Sequence, residues 1–157
     1  MTDIHKSCSC FGHSKIEITE KLKIGLRNTF EKLITIENVN TFYFGGFGEF
    51  DDLCYQIVSE LKIKYPEIQR IFCTADRRWL RLSKRPKWLQ DEEYEEITYL
   101  DLDFDYWYTR IYYRNCAIID RSDFVVFYVI NTENSGAYKA MQYAKKKKKQ
   151  IIDIINI

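Results

Sequence analysis

Proline is scarce, with two residues in 157, and glycine is little commoner at six. That scarcity excludes collagen-like repeats and proline-rich spacers, and it argues against disorder and long flexible linkers. An excess of charge of one sign is missing too: 24 Lys plus Arg stand against 23 Asp plus Glu, a formal net charge of +1. A generally basic nucleic-acid binder is therefore not indicated, and nucleic acid is not the expected partner, though a local patch stays open. No apolar run reaches the roughly 18 residues that a membrane-spanning helix needs, so no membrane partner is expected. The opening MTDIHKSCSCFG has no basic region followed by a long apolar stretch and does not read as a secretory signal.

A paired cysteine framework is also lacking. The five cysteines, Cys8, Cys10, Cys54, Cys73 and Cys116, are odd in number and lie mostly in apolar segments. That fits reduced thiols in a cytoplasmic protein. Cys8 and Cys10 form a C-x-C pair that could hold a metal. No second pair has zinc spacing, and residues i and i+2 of a strand share one face, so buried packing accounts for them better. No metal and no cofactor is expected.

What the chain does have is core material: 46% hydrophobic and 16% aromatic residues in 18.9 kDa. One domain over residues 1–157 is the expectation. Lys6 to Gly12 reads as a first strand. From Ile18, apolar residues at Leu22, Leu26, Phe30 and Leu33 recur at helical spacing. Thr41 to Phe44 reads as a strand that stops at Gly45-Gly46, and Phe50, Leu53, Cys54, Ile57, Val58 and Leu61 stripe a second helix. Ile68 to Thr74 reads as the next strand. From Ala75 to Asp105 the pattern predicts a long, partly ordered excursion with a short strand near Ile97 to Leu100. A helix from Tyr106 to Arg121, a strand from Phe124 to Ile130 and a turn from Asn131 to Ser135 follow. A helix from Gly136 carries the lysine run Lys145 to Lys149 as its solvated end, and Ile151 to Ile154 closes as a strand. Continuously apolar strands alternating with helices predict an α/β protein, a three-layer Rossmann-like fold with a mostly parallel central sheet.

In such sheets ligands bind beyond the carboxyl ends of the strands. Three turns there carry small or polar residues: Gly12-His13-Ser14, Gly45-Gly46-Phe47-Gly48 with Asp51 and Asp52, and Ser135-Gly136-Ala137. The glycine turn lets backbone N–H groups face an anion just before a helix begins, which suits phosphate. The rival account is a tight strand–helix turn, with Asp51 or Asp52 capping the helix. No G-K-[ST] follows, so this is not a nucleoside triphosphate hydrolase loop. His13 could stack on a base, donate to a phosphate, or simply bond backbone at a strand end. Arg114 lies on a helix with Ile111, Ala117 and Ile118 inward. Its planar fork suits phosphate, and a structural pair with Asp51 or Asp120 is the alternative.

Taken together, F-G-H after the first strand, F-Y-F-G-G-F-G-E-F-D at the second, Y-Y-R-N-C before the fifth, and S-D-F-V-V-F-Y-V followed by N-S-G-A resemble the SLOG superfamily. The likeness runs from about Cys8 to Ile154 and is nearest to the small YpsA-like proteins of Firmicutes and their phages, relatives of the Lonely Guy and DprA proteins. It implies a domain that senses or sequesters a nucleotide or nucleotide-derived ligand, such as an ADP-ribose-like molecule. By that resemblance Gly12 and His13 match the F-G-H-R turn, with Ser14 where the arginine stands. Gly45, Gly46 and Gly48 match the glycine turn and Asp51 the acid after it. Arg114 and Asn115 match the R-N pair, and Ser135, Gly136 and Ala137 the second small-residue turn. Lonely Guy enzymes carry P-G-G-x-G-T-x-x-E; here Phe44 stands for Pro, Glu49 for Thr and Asp52 for Glu, which argues against their phosphoribohydrolase activity. If turnover occurs, Asp51, Asp52 and Arg114 are the candidates for catalysis of N-glycosidic hydrolysis. A third alternative is a DprA-like association with single-stranded DNA through Arg77, Arg78, Arg81, Lys84, Arg85 and Lys87 with Trp79 and Trp88. Exposed aromatics also point to a homodimer.

Overall fold

The computed structural model describes residues 4–100, 109–130 and 135–156. Six strands form one parallel sheet in the order β4-β3-β2-β1-β5-β6. They are β1 (Lys6–Gly12), β2 (Val39–Phe44), β3 (Gln69–Cys73), β4 (Glu96–Thr98), β5 (Phe124–Tyr128) and β6 (Gln150–Asp153). Helices α1 (Glu20–Thr35) and α2 (Glu49–Lys64) cover one face, and α3 (Arg110–Arg121) and α4 (Gly136–Lys146) cover the other. The α/β expectation holds, and the sheet is parallel throughout.

Two apolar layers fill the space on either side of the sheet. Cys8, Cys10, Phe42, Phe44, Phe124 and Val126 face Leu26 and Phe30 of α1 and Phe50, Cys54 and Val58 of α2. The alternate faces of the same strands meet α3 and α4 through Val125, Phe127, Ile119, Ala140 and Ala144. Both faces are covered, which is why the strands read as unbroken apolar runs. Cys8, Cys10 and Cys54 are buried free thiols in the first layer. Burial pushes all three up from the usual thiol range, so they act there as small apolar residues.

Several element ends differ from the sequence expectation, each for a local reason. Helix α1 starts at Glu20, because Thr19 Oγ1 accepts from the Leu22 amide at 3.1 Å and caps it; Ile18 lies outside and is exposed. Strand β5 ends at Tyr128, since the amide of the exposed Ile130 is taken by the His13 ring. Strand β6 ends at Asp153, whose carboxylate accepts from Ile155 N and Asn156 Nδ2. The lysine run does not stay helical: α4 stops at Lys146, Lys148 turns at φ +57°, and Lys149 Nζ donates to the Asp120 carbonyl. Lys145 to Lys148 are exposed. The expected helical start at 106–108 and the turn at 131–134 lie outside the described residues.

The excursion between β3 and β4 is more organised than its sequence suggests. Short 3-10 turns at Arg77–Leu80, Leu82–Lys84 and Asp91–Glu93 carry it across the sheet edge. Leu89 is buried, and Trp88 meets both Phe72 of β3 and Trp79 edge-on. Arg85 pins the loop by donating to the Trp79 carbonyl at 2.9 Å and to Asp91 at 2.8 Å. Its short strand is Glu96–Thr98 rather than Ile97 to Leu100, held at its start by Arg70 and Glu95 in a two-pronged ion pair. Residues 101–105 lie outside the described ones.

Candidate functional site

The strand order reverses between β1 and β5: β2, β3 and β4 extend to one side of β1, while β5 and β6 extend to the other. The chain segments leaving β1 and β5 therefore diverge to opposite faces, and a crevice opens between them. A cleft of about 540 Å³ lies there, inside the range usual for small-ligand sites. Gly12, His13, Ser14, Gly45, Asp51, Arg114, Asn115, Ser135, Gly136 and Ala137 all line it. Gly46, Gly48 and Asp52 do not. Lys15, Phe47 and Ile111 line it as well, and sequence reasoning had passed over all three as ligand contacts. Lys15 was legible as the residue after the Gly12-His13-Ser14 turn. Ile111 was expected inward on α3 and is instead 40% exposed beside the cleft.

At its centre sits Arg114, only 5% exposed. Its Nε donates to Asn115 Oδ1 at 3.1 Å, and its Nη1 donates to the carbonyls of Gly45 at 3.1 Å and Cys73 at 3.3 Å. It thus ties the ends of β2 and β3 to α3. Burial draws its pKa below the usual arginine value, opposed by the negative charge of Asp51. No hydrogen bond joins Nη2 to any described residue. Gly45 owes its identity to this arginine: a Cβ there would lie 2.6 Å from the guanidinium carbon.

Asp51, also buried, points back into the glycine turn. Its Oδ2 accepts from the Gly46 amide at 2.8 Å and its Oδ1 from the Gly45 amide at 3.5 Å. Burial pushes its pKa up to about 6, against the opposing pull of Arg114 and the two amides. The turn itself is sterically fixed. Gly46 and Gly48 have φ of +67° and +98°, where side chains are strained. A Cβ on Gly46 would run into the Phe72 ring, and one on Gly48 would lie 2.7 Å from Ser14 Cα. These glycines are therefore required by the backbone and its neighbours. Asp52, one residue on from Asp51, is exposed on the outer side of α2.

His13 does not stand free in the cleft. Its Nε2 accepts from the Ile130 amide at 2.8 Å and so joins the ends of β1 and β5; the ring also meets Tyr128 edge-on. The Ser14 carbonyl accepts from the Glu49 amide at 2.9 Å. Ser135 caps α4: its Oγ accepts from the Tyr138 amide and its carbonyl from the Lys139 amide, both at 3.0 Å. Tyr112 and Tyr113 are exposed on α3, in contact with each other rather than with the cleft. Among the described residues no group of three or more His, Cys, Asp or Glu could hold a metal ion, and no helix is long and apolar enough to cross a membrane.

No protein-family model and no curated protein matches the chain. Among solved structures, the X-ray structure of DNA processing protein A (DprA) from Streptococcus pneumoniae is similar, with a TM-score of 0.64 at 11% sequence identity. The match covers 93% of this chain and 49% of that one, so the chain spans about half the length of that protein. At such low identity the likeness is one of fold, a Rossmann-like α/β sheet.

Proposed function

We propose that the cleft at the β1–β5 switch point binds a nucleotide or nucleotide-derived ligand, and that the protein senses or sequesters it in the manner of a YpsA-like member of the SLOG superfamily. The observation that carries this reading is the cleft of about 540 Å³ built around a buried arginine at the strand-order reversal. Three segments far apart in sequence, 12–15, 45–51 and 135–137, supply its walls with small residues that admit close approach. Thermal shift with AMP, ADP-ribose, NAD and cyclic dinucleotides tests it. A ligand at 100 times its Kd should add ~2.7 kcal/mol, a rise in Tm of roughly 5–10 °C for a chain this size. A flat response to every one of them would end the proposal.

Binding without turnover is favoured over N-glycosidic hydrolysis. Cleavage of a base from a ribose phosphate calls for one group at the anomeric carbon and another to protonate the leaving base. Asp51 is the one carboxylate among the described cleft residues, and its oxygens are engaged by the glycine amides. Incubation with AMP and N6-substituted analogues should release no free base by chromatography. Release at about one per second or faster, lost in Asp51→Asn, would make the protein a hydrolase.

A second reading, association with single-stranded DNA, draws on the name of the similar solved protein and on one surface. Arg77, Arg81, Lys84 and Lys87 are exposed without ion-pair partners among the described residues, beside Trp88 at 53% exposure. Binding to oligo-dT that weakens steeply with salt, and that is lost in Lys84→Glu/Lys87→Glu, would support it.

A further inference from the structure

We infer that Phe47 is the stacking platform of the cleft: its ring takes the planar base of the ligand, so that the site recognises a nucleotide by its base as well as by its sugar phosphate. This rests on the reading of the cleft as a nucleotide-derived site and names the residue that holds the base.

Phenylalanine is among the residue types most often fully buried, and this chain otherwise follows that habit. Among the described residues Phe47 is the one exposed phenylalanine, at 68%; Phe11 is half-buried and the others lie in the core. A single exposed apolar side chain means little by itself. This one, however, lines the cleft, and it makes none of the ring contacts that occupy Phe11, Phe44, Phe50 and Phe72.

The backbone that carries the ring is pinned on both sides. Gly46 and Gly48 flank it at φ of +67° and +98°, and neither has a side chain that could shield it. The Gly46 amide donates to Asp51 at 2.8 Å, and the Phe72 and Trp88 rings close the space where a Gly46 Cβ would go. On the far side a Gly48 Cβ would meet Ser14, and the Glu49 amide donates to the Ser14 carbonyl at 2.9 Å. The turn therefore holds its place while the ring stays uncovered. A side chain with two torsions on a fixed backbone loses little entropy when a flat partner settles on it, which is what a stacking surface requires.

The remaining walls fit the same class of ligand. Ile111 of α3, 40% exposed, is the other large apolar side chain that stands exposed along the lining. His13, Ser14, Lys15 and Asn115 bring polar groups to the same space. One cleft thus offers an aromatic face and a polar wall, and a nucleotide has a planar end for the first and a charged end for the second.

The test compares adenine-bearing probes, AMP, ADP-ribose and NAD, with the baseless ribose 5-phosphate. Phe47→Ala removes an exposed ring and should keep the wild-type Tm and far-UV spectrum. It is expected to weaken adenine-probe binding about fivefold to a hundredfold, while Phe47→Tyr stays within about threefold of wild type. Ribose 5-phosphate should bind all three proteins alike. In protein labelled with 4-fluorophenylalanine, the Phe47 signal, identified by its absence from the Phe47→Ala spectrum, should shift with AMP and stay still with ribose 5-phosphate. Unchanged adenine-probe binding in Phe47→Ala, or an equal loss of ribose 5-phosphate, would overturn the platform and leave the nucleotide reading intact. So would a wild-type dimer that dissociates in Phe47→Ala with AMP affinity unchanged, which would give the ring to a second copy of the chain. No binding of AMP, ADP-ribose or NAD by the wild-type protein would sink both.

Discussion

Asp51 stands in the sequence as the acid after the glycine turn and a candidate for ligand binding, and the chain uses it first on its own backbone. Its carboxylate latches the Gly45 and Gly46 amides while buried beside Arg114. With a folded pKa of about 6 against ~3.9 unfolded, the folded state holds the extra proton between those values. The sign follows: this group's contribution is greatest below pH ~4 and is lost as pH rises to ~6, a change of up to about 3 kcal/mol. Asp76 and Glu95, drawn below their usual values by Arg78 and Arg70, slope the other way, so the wild-type curve mixes both. Urea unfolding of wild type and Asp51→Asn across pH 4–7 isolates the Asp51 share; parallel curves would show that its carboxyl is not perturbed. Gly46→Ala and Gly48→Ala are expected to destabilise by about 1–3 kcal/mol each through strain at positive φ. A Tm lower by roughly 2–4 °C per kcal/mol would show it. Loss of ligand in those variants would therefore report on the fold as much as on the cleft.

Among the elements, the basic and aromatic excursion departs most from its sequence. Residues 75–93 show neither helical nor strand periodicity, because their apolar residues are spent singly. Leu89 enters the core, while Trp88 meets Phe72 on one side and Trp79 on the other, each edge-on. Leu89→Ala should cost about 2–5 kcal/mol and loosen this segment before the sheet. Limited trypsin digestion reads that directly, with faster cleavage after Arg77, Arg81, Lys84 and Lys87 expected in the variant. Unchanged cleavage would mean that Leu89 does not anchor the loop. The lysine run teaches the complementary lesson. Its composition continues the helix, yet Lys148 adopts φ +57° so that the chain can enter β6 beside β5.

Among the described residues, four α-helices flank one sheet, and the excursion packs on β3 of that sheet. Tryptophan fluorescence in a Trp107→Phe background, which leaves Trp79 and Trp88 as reporters, and far-UV circular dichroism, which senses the helices, should therefore report one denaturant transition. An earlier fluorescence transition would show the excursion opening by itself.

What the sequence by itself determined is the alternation of apolar strands and amphipathic helices, hence the parallel three-layer sheet, and the small-residue turns at the ends of β1, β2 and α4's start. Both follow from local patterns: period and glycine placement are visible in any short window. The tertiary structure alone decided how those turns are used. That Gly45 is glycine because Arg114 lies against it, 69 residues away, has no local signal. Nor has the capture of the Ile130 amide by His13, or the choice of Asp51 over its neighbour Asp52 to face inward. Which amides are left free for a ligand is settled only after every internal acceptor has taken its share, and that accounting exists only in the folded chain.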